Sequence, residues 1–260
     1  MNDLLGTTYI EPFAGGAGLA LRLLLAGDVN RIVINDIDPH VYAFWDAIIN
    51  QTERFCEMLT KTPITVDEWD KQKAIYAICN ATDPLRLGFA TFFLNRTNVS
   101  GVLTGGIIGG RNQRGAYKIN ARFPKDVLAE KIRNIAVRRD DITIINEDAS
   151  KLLGNTALRD SRGTFVNFDP PYVSKGAQLY RNSFSKQAHI MFSKTVKHCQ
   201  RKWIVTYDVD PLILDIYSKY RIGFLDVSYS VGEQKNAKEY IIFGRDLVMP
   251  ESIARANDIK

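Results

Sequence analysis

From Thr8 to Asn35 the chain spells a strand, a glycine turn, a helix and a second strand, and this opening constrains the fold more than any other stretch. Thr8 to Glu11 is short and β-prone, Phe13-Ala14-Gly15-Gly16-Ala17-Gly18 is the turn, Leu19 to Ala26 reads as helix and Arg31 to Asn35 as strand. Such a unit forms a parallel pair of strands with a crossover helix. Glycines at a strand–helix junction let a ligand approach the backbone, and an acid after the second strand, here Asp36, can accept hydrogen bonds from ribose hydroxyls. A plain turn is the other reading of the same residues. Gly15, Gly16 and Gly18 do not fit the Gly-x-Gly-x-x-Gly spacing of dinucleotide-binding dehydrogenases.

The pattern after this opening is helical from Pro39 to Leu94, with Asp83-Pro84 as a helix start, and shows no strand. Between Thr97 and Phe123 six glycines separate short β-branched pieces, which predicts a β-hairpin or a long loop. Helix returns from Lys125 to Val137. Strand and helix then alternate through Ile142 to Asn146, Thr164 to Asp169, Lys186 to His198, Lys202 to Tyr207 and Pro211 to Tyr217. Ile222 to Val231 and Tyr240 to Phe243 read as a closing antiparallel pair. The predicted architecture is α/β: a mostly parallel sheet formed by residues 1–51 and 140–260, interrupted at 52–139 by a helical, hairpin-bearing insertion.

Charge divides unevenly along this plan. The chain carries a net +5, but residues 85–140 carry +8 and the remainder −3. A basic block in an otherwise mildly acidic protein points to a polyanion partner, with a solvated helix face as the alternative. Met1 to Thr8 does not resemble a signal peptide, and no apolar run approaches the roughly 20 residues that span a bilayer, so a soluble intracellular protein without a membrane partner is expected. Cys56, Cys79 and Cys199 are far apart and the chain has only three histidines, so neither a disulfide framework nor a metal site is expected. His189 and His198 lie on one predicted helix without a nucleophile to serve, and Trp45, Trp69 and Trp203 read as packing residues.

The chemistry concentrates in Asn167-Phe168-Asp169-Pro170-Pro171-Tyr172, directly after an apolar strand. In an open α/β sheet the strand carboxyl ends face the ligand crevice, so this acid, two prolines and one aromatic ring project into the site. A carboxylate and a backbone carbonyl can accept the two N–H bonds of an exocyclic amine, proline holds that carbonyl in place, and a tyrosine ring can stack on a base.

At these residues the chain resembles the D12 class of DNA adenine methyltransferases. Glu11-Pro12-Phe13-Ala14-Gly15-Gly16 is similar to the family's cofactor motif and Asp169-Pro170-Pro171-Tyr172 to its catalytic motif. Phe93-Leu94-Asn95-Arg96 and the glycine-rich stretch ending Tyr117-Lys118-Ile119-Asn120 resemble its DNA-reading segment. Tyr180-Arg181-Asn182-Ser183-Phe184 resembles the loop after the catalytic motif, and Glu239-Tyr240-Ile241-Ile242 the family's ending. The resemblance implies a Rossmann-like methyltransferase fold and methyl transfer from S-adenosylmethionine to the N6 amine of a flipped adenine in duplex DNA, in a bacterial or phage-encoded cytoplasmic enzyme, with a restriction endonuclease as an eventual companion. It implies catalytic roles for Asp169, Pro170, Pro171 and Tyr172, and cofactor contacts from Glu11, Pro12, Phe13, Gly15, Gly16, Asp36, Asp148 and Asp169. Asp148 would approach the cofactor's adenine; capping of the next helix is the other reading of that residue. DNA contacts fall to Asn95, Arg96, Asn98, Arg111, Arg114, Tyr117, Lys118 and Asn120.

Two departures from the family pattern stand out. Ala17 replaces a third glycine, and no Gly-Gly-Lys segment precedes Tyr9, from which weak cofactor binding by this chain is expected. A DNA-binding relative without catalysis, or a methyltransferase of another amine or amide such as an RNA base, are the competing expectations.

Overall fold

The computed structural model describes residues 6–152, 163–174, 184–229 and 235–256. The opening forms as its sequence requires: β1 (Thr8–Glu11), α1 (Gly18–Ala26) and β2 (Arg31–Asn35). Four helices follow, α2 (Pro39–Asn50), α3 (Thr52–Lys61), α4 (Val66–Ile78) and α5 (Pro84–Thr97), and then, beyond an irregular segment, α6 (Lys125–Ala136). The rest is β3 (Ile142–Ile145), α7 (Ala149–Leu152), β4 (Thr164–Phe168), α8 (Lys186–Lys197), β5 (Lys202–Asp208), α9 (Pro211–Ile216), β6 (Arg221–Tyr229) and β7 (Lys235–Phe243).

The strands form one seven-stranded sheet of order β3-β2-β1-β4-β5-β7-β6. β1 pairs in parallel with β2 and β4, β4 with β5, and the closing pair is antiparallel, with β7 running against both β5 and β6. All five residues of β4 are buried, as expected for a central parallel strand covered on both faces. The strand order reverses beside β1, between β2 and β4, where open α/β sheets place their ligand crevice. The fold is therefore the Rossmann-like α/β fold expected of a methyltransferase.

The segment from Thr97 to Phe123 is the long loop of the two forms expected, and the hairpin of the sequence-based architecture does not form. A single isolated antiparallel bridge, Asn98 to Ile107, and one 3-10 turn, Val99–Gly101, stand where a ladder was expected. A hairpin needs two runs of extended residues, and glycines with positive φ at Gly101, Gly109 and Gly110 turn the chain back too often for that.

The chain forms two compact units, one of residues 1–36 and 147–260, the other Ile37–Asn146. The second unit is wider than the 52–139 insertion read from sequence, since it takes in α2 and β3. The reason for α2 is visible at Gly88 of α5. A Cβ there would stand 2.3 Å from the Ala43 carbonyl oxygen and 2.8 Å from the Phe44 Cα, so the two backbones touch at a site only glycine fills. Around this contact Phe44 stacks on Phe92 at 5.7 Å, and Phe55 meets Phe89 edge-on at 5.5 Å. Ten of the fourteen α5 residues are buried, which is why its sequence shows no polar face.

Gly88→Ala should force α2 and α5 apart. A destabilisation of about 1–3 kcal/mol is expected for such overpacking, lowering the melting temperature by roughly 2–4 °C per kcal/mol. An unchanged thermal melt followed by circular dichroism would show that the close approach carries no constraint.

Candidate active site

The residues that begin the site all belong to the first unit. After β1 the turn is held from below by Asn35, the last residue of β2, which is 1% exposed. Its backbone carbonyl accepts the Ala14 N–H at 2.8 Å. Its side-chain amide donates to the Pro12 carbonyl at 2.8 Å and the Glu147 carbonyl at 3.0 Å, while its Oδ1 accepts the Glu147 N–H at 3.0 Å. One buried amide thus ties the glycine turn to the loop that carries Asp148. Neighbouring Asp36 accepts the Gly15 N–H on Oδ2 at 2.9 Å. Phe13 is half-buried and meets Phe192 and Phe184 edge-on at 5.2 and 6.0 Å. Ala17, in place of a third glycine, is left-handed (φ 45°) and buried. Nothing lies within 4 Å of the positions a Cβ would take on Gly15, Gly16 and Gly18. Asp148 is exposed, and its Oδ1 accepts the Ser150 N–H at 2.8 Å and the Ser150 hydroxyl, capping α7.

Beyond β4 the chain turns outward at Asp169, with Pro170, Pro171 and Tyr172 buried behind it. The Asp169 side chain reaches solvent, and the Thr206 hydroxyl of β5 donates to its Oδ1 at 2.7 Å. The loop is fixed by two acids that the sequence reading did not assign to the site. Asp208, at the end of β5, accepts the Val173 N–H on Oδ1 at 2.9 Å and the Ser174 N–H on Oδ2 at 2.8 Å. Glu239 of β7 accepts the Tyr172 hydroxyl at 2.8 Å. Both acids are buried, and they are register partners across β5 and β7. No local signal reveals Asp208, because its role depends on the pairing of strands; Glu239 was legible only as part of a resembling ending. Tyr172 itself is 8% exposed. Little of its ring is open, and its hydroxyl is engaged by Glu239.

Several acids crowd this sheet edge. Glu11 is buried, and its Oε1 accepts the Tyr9 hydroxyl and the Ala20 N–H, each at 3.1 Å. Burial outweighs both hydrogen bonds and pushes its pKa up to about 7. Asp169 is raised to about 6, first by the surrounding protein and then by the Glu239 charge, against the lowering from Thr206 and Tyr172. Asn167, 9% exposed, keeps a side-chain oxygen without a hydrogen-bond partner. His189 is buried against the Tyr207 hydroxyl at 3.1 Å, the packing role expected of it. Tyr180 to Ser183 lie outside the described residues.

In the second unit the candidate DNA residues divide sharply. Asn98 is fully buried, accepts the Trp69 indole N–H at 2.6 Å and donates to the Val102 and Leu103 carbonyls. It is a brace within the unit and is corrected from the DNA set. Arg96 is half-buried and gives its Nε to the Arg122 carbonyl at 2.7 Å; Asn95 is exposed and bonds the Gly101 carbonyl. Arg111 forms a two-pronged ion pair with Asp70 at 2.9 and 2.7 Å, which cancels its charge locally. Lys118 caps the Gln113 and Gly115 carbonyls. Arg114, Asn120 and Tyr117 are exposed, the last at 75%. The organiser of this loop, missed in the sequence, is Gln113. Its amide donates to the Ile108 and Gly110 carbonyls and its Oε1 accepts the Ile119 N–H. The chain crosses itself at Gly109, where a Cβ would meet the Tyr117 carbonyl oxygen at 2.6 Å.

The Rossmann-like sheet carries an acid, two prolines and a tyrosine at the end of β4 and an open glycine turn after the neighbouring strand β1. The sequence profile of the D12 class N6 adenine-specific DNA methyltransferases matches residues 2–231. The chain belongs to that family. It is 27% identical over 246 residues to the type II methyltransferase M.CviBI of Paramecium bursaria Chlorella virus NC1A, covering 91% of this chain and 89% of that one. It is 26% identical over 237 residues to M.MjaIII of Methanocaldococcus jannaschii, covering 83% and 78%. The protein is thus an adenine-specific DNA methyltransferase, and methyl transfer in this family draws on S-adenosylmethionine.

The ionised carboxylate of Asp169 is a stronger hydrogen-bond acceptor than its neutral acid. Because folding raises its pKa, the ionised form is lost as pH falls through about 6. The pH profile of kcat/KM, which reports the free enzyme, should therefore carry an acidic limb near pH 6. A limb near the ordinary carboxylate range would contradict the desolvated setting of Asp169.

Proposed function

We propose that the site built on Gly15, Gly16 and Asp169 binds S-adenosylmethionine beside a flipped adenine and methylates its N6 within duplex DNA. The observation that carries this reading is Asp169, held at the end of β4 by Thr206 while the loop behind it is tied to Asp208 and Glu239. The residues present suit the cofactor, because the space over the three glycines is open to an adenosyl group and two acids stand at the ends of neighbouring strands. Phe13 and the glycine turn would hold it, with Asp36 at the ribose and Asp148 near the adenine. S-adenosylmethionine supplies the electrophilic methyl on a cationic sulfonium.

Adenine's amine is a weak nucleophile because its lone pair is delocalised into the ring. Asp169 and the Pro170 carbonyl accept its two N–H bonds and favour a pyramidal nitrogen with an outward lone pair. A carboxylate has about four acceptor positions, so the bond from Thr206 leaves room for the amine. The positive charge that grows on nitrogen is stabilised by the Asp169 carboxylate, and no covalent enzyme intermediate is required. Extruding the base costs a few kcal/mol. The type II naming of the relatives fits a restriction–modification setting, and no helix among the described residues is long and apolar enough to cross a membrane.

DNA reading belongs, in this proposal, to the Gln113-braced loop, with Arg114, Tyr117, Lys118 and Asn120 toward the nucleic acid. Arg114→Ala should weaken duplex binding and reduce the slope of log affinity against log salt by about 0.9, the value of one phosphate contact. Arg111→Ala should change that slope less, since Arg111 is already paired with Asp70. Equal effects of the two substitutions in a salt titration would contradict the assignment.

Asp169→Ala should lower methyl transfer by at least about a hundredfold while duplex affinity stays near wild type. Radiolabel transfer and gel-shift titration read these separately. Near-normal turnover would remove Asp169 from the mechanism.

A further inference from the structure

Thr206 meets Asp169 because β4 and β5 lie in parallel register. Phe168 stands opposite Val205, so the next residue of the catalytic motif comes level with the next residue of β5. The Thr206 hydroxyl donates to Asp169 Oδ1 at 2.7 Å. Its other acceptor, the Phe168 carbonyl, is 3.4 Å away, outside the roughly 2.5–3.0 Å of a normal O–H···O bond. A hydroxyl has one proton to give, and here the carboxylate takes it. Threonine branches at Cβ and is stiff at χ1, so β5 sets the direction of that bond. Two residues on, along the same face of the strand, Asp208 takes the Val173 and Ser174 N–H groups. One face of β5 thus holds both the acid and the loop behind it.

We propose that Thr206 is a positioning residue that commits Oδ1 of Asp169, assigns Oδ2 to the substrate amine and thereby restricts position 169 to a carboxylate. The inference rests on the assignment of Asp169 to the amine. A carboxylate has an acceptor on each side and serves the hydroxyl and an amine N–H together, whereas an amide has a single acceptor oxygen. With Thr206 present, the side chain of Asp169→Asn turns its oxygen to the hydroxyl and its NH2 to the substrate, where donor meets donor. The hydroxyl also favours the ionised acid. The surrounding protein raises the Asp169 pKa most and Thr206 opposes that rise most; the Glu239 charge adds to it and Tyr172 works against it. Tyr9 and Glu11 of β1 and Tyr207 of β5 also lie within the field of this carboxylate. Thr206 touches neither base nor cofactor in this scheme; it acts through Asp169.

Thr206→Val keeps the shape of the side chain and removes the hydroxyl. It should lower kcat by about tenfold or more, while KM for S-adenosylmethionine and for duplex DNA stays within about twofold of wild type. Losing a bond to the ionised form raises a carboxyl pKa, so the acidic limb of the pH profile should move above its wild-type place near 6. Thr206→Ser should return both readouts most of the way. Asp169→Asn should be nearly inactive, but in the Thr206→Val background its amide is free to turn its oxygen to the amine. The double variant should therefore be at least about fivefold faster than Asp169→Asn alone, a gain that independent sites do not give. A wild-type kcat or an unmoved limb in Thr206→Val, a Thr206→Ser enzyme as slow as Thr206→Val, or a double variant no faster than Asp169→Asn would each overturn the proposal. If Thr206→Val does not fold, Thr206→Ala carries the same comparisons. Near-normal turnover in Asp169→Ala would instead overturn the underlying reading, so the two failures are distinguishable.

Discussion

Two carboxylates on neighbouring strands hold the loop that carries the chemistry. Asp208 closes β5 and Glu239 lies opposite it on β7; one takes two backbone N–H groups after the catalytic motif, the other takes the hydroxyl at its end. The antiparallel closing pair of the sheet is therefore more than an edge. By inserting β7 between β5 and β6, the chain brings an acid from near its carboxyl terminus to the crevice at the ends of β4 and β5. Prolines stiffen the loop, and the acids determine where the stiff loop points.

The opposite wall of the site depends on a neutral group. Asn35 uses both ends of its amide and its backbone carbonyl to bind the turn after β1 and the loop at Glu147 into one framework. A buried amide left without these partners would cost roughly 1–3 kcal/mol, so the turn and the Asp148 loop are set jointly. Between the two walls lie Glu11, which is buried, and Asp169, whose side chain reaches solvent; the surrounding protein raises the pKa of both. The same desolvation that disfavours their charge strengthens any hydrogen bond they accept.

Much of this was legible in the sequence because it is local. The strand–turn–helix opening, the helix starting at Asp83-Pro84, the closing strand pair and the Asp169 motif are stretches whose residue types dictate their own conformation. What was not legible depends on pairing between distant segments. Asn35, Gln113 and Asp208 are polar residues whose roles appear only when the chain brings carbonyls and N–H groups to them. Tyr172 was legible as a motif residue, but the partner of its hydroxyl, Glu239, lies 67 positions away. The basic block of residues 85–140 was a compositional signal, and part of its charge is spent internally. Arg111 pairs with Asp70, Arg133 with Glu53, Arg138 with Asp141, and Lys125 caps the Thr60 and Thr62 carbonyls at the end of α3. Arg86, Arg114, Lys131 and Arg139 are exposed and belong to none of these pairs.

The central claim is chemical, that the amine presented to Asp169 is the N6 of adenine in DNA. Mass spectrometry of nucleosides from duplex DNA incubated with the protein and isotopically labelled S-adenosylmethionine tests it most directly. The account predicts label in N6-methyladenine and in no other base. Label found only in 4-methylcytosine, or only in RNA added to the same reaction, would contradict it.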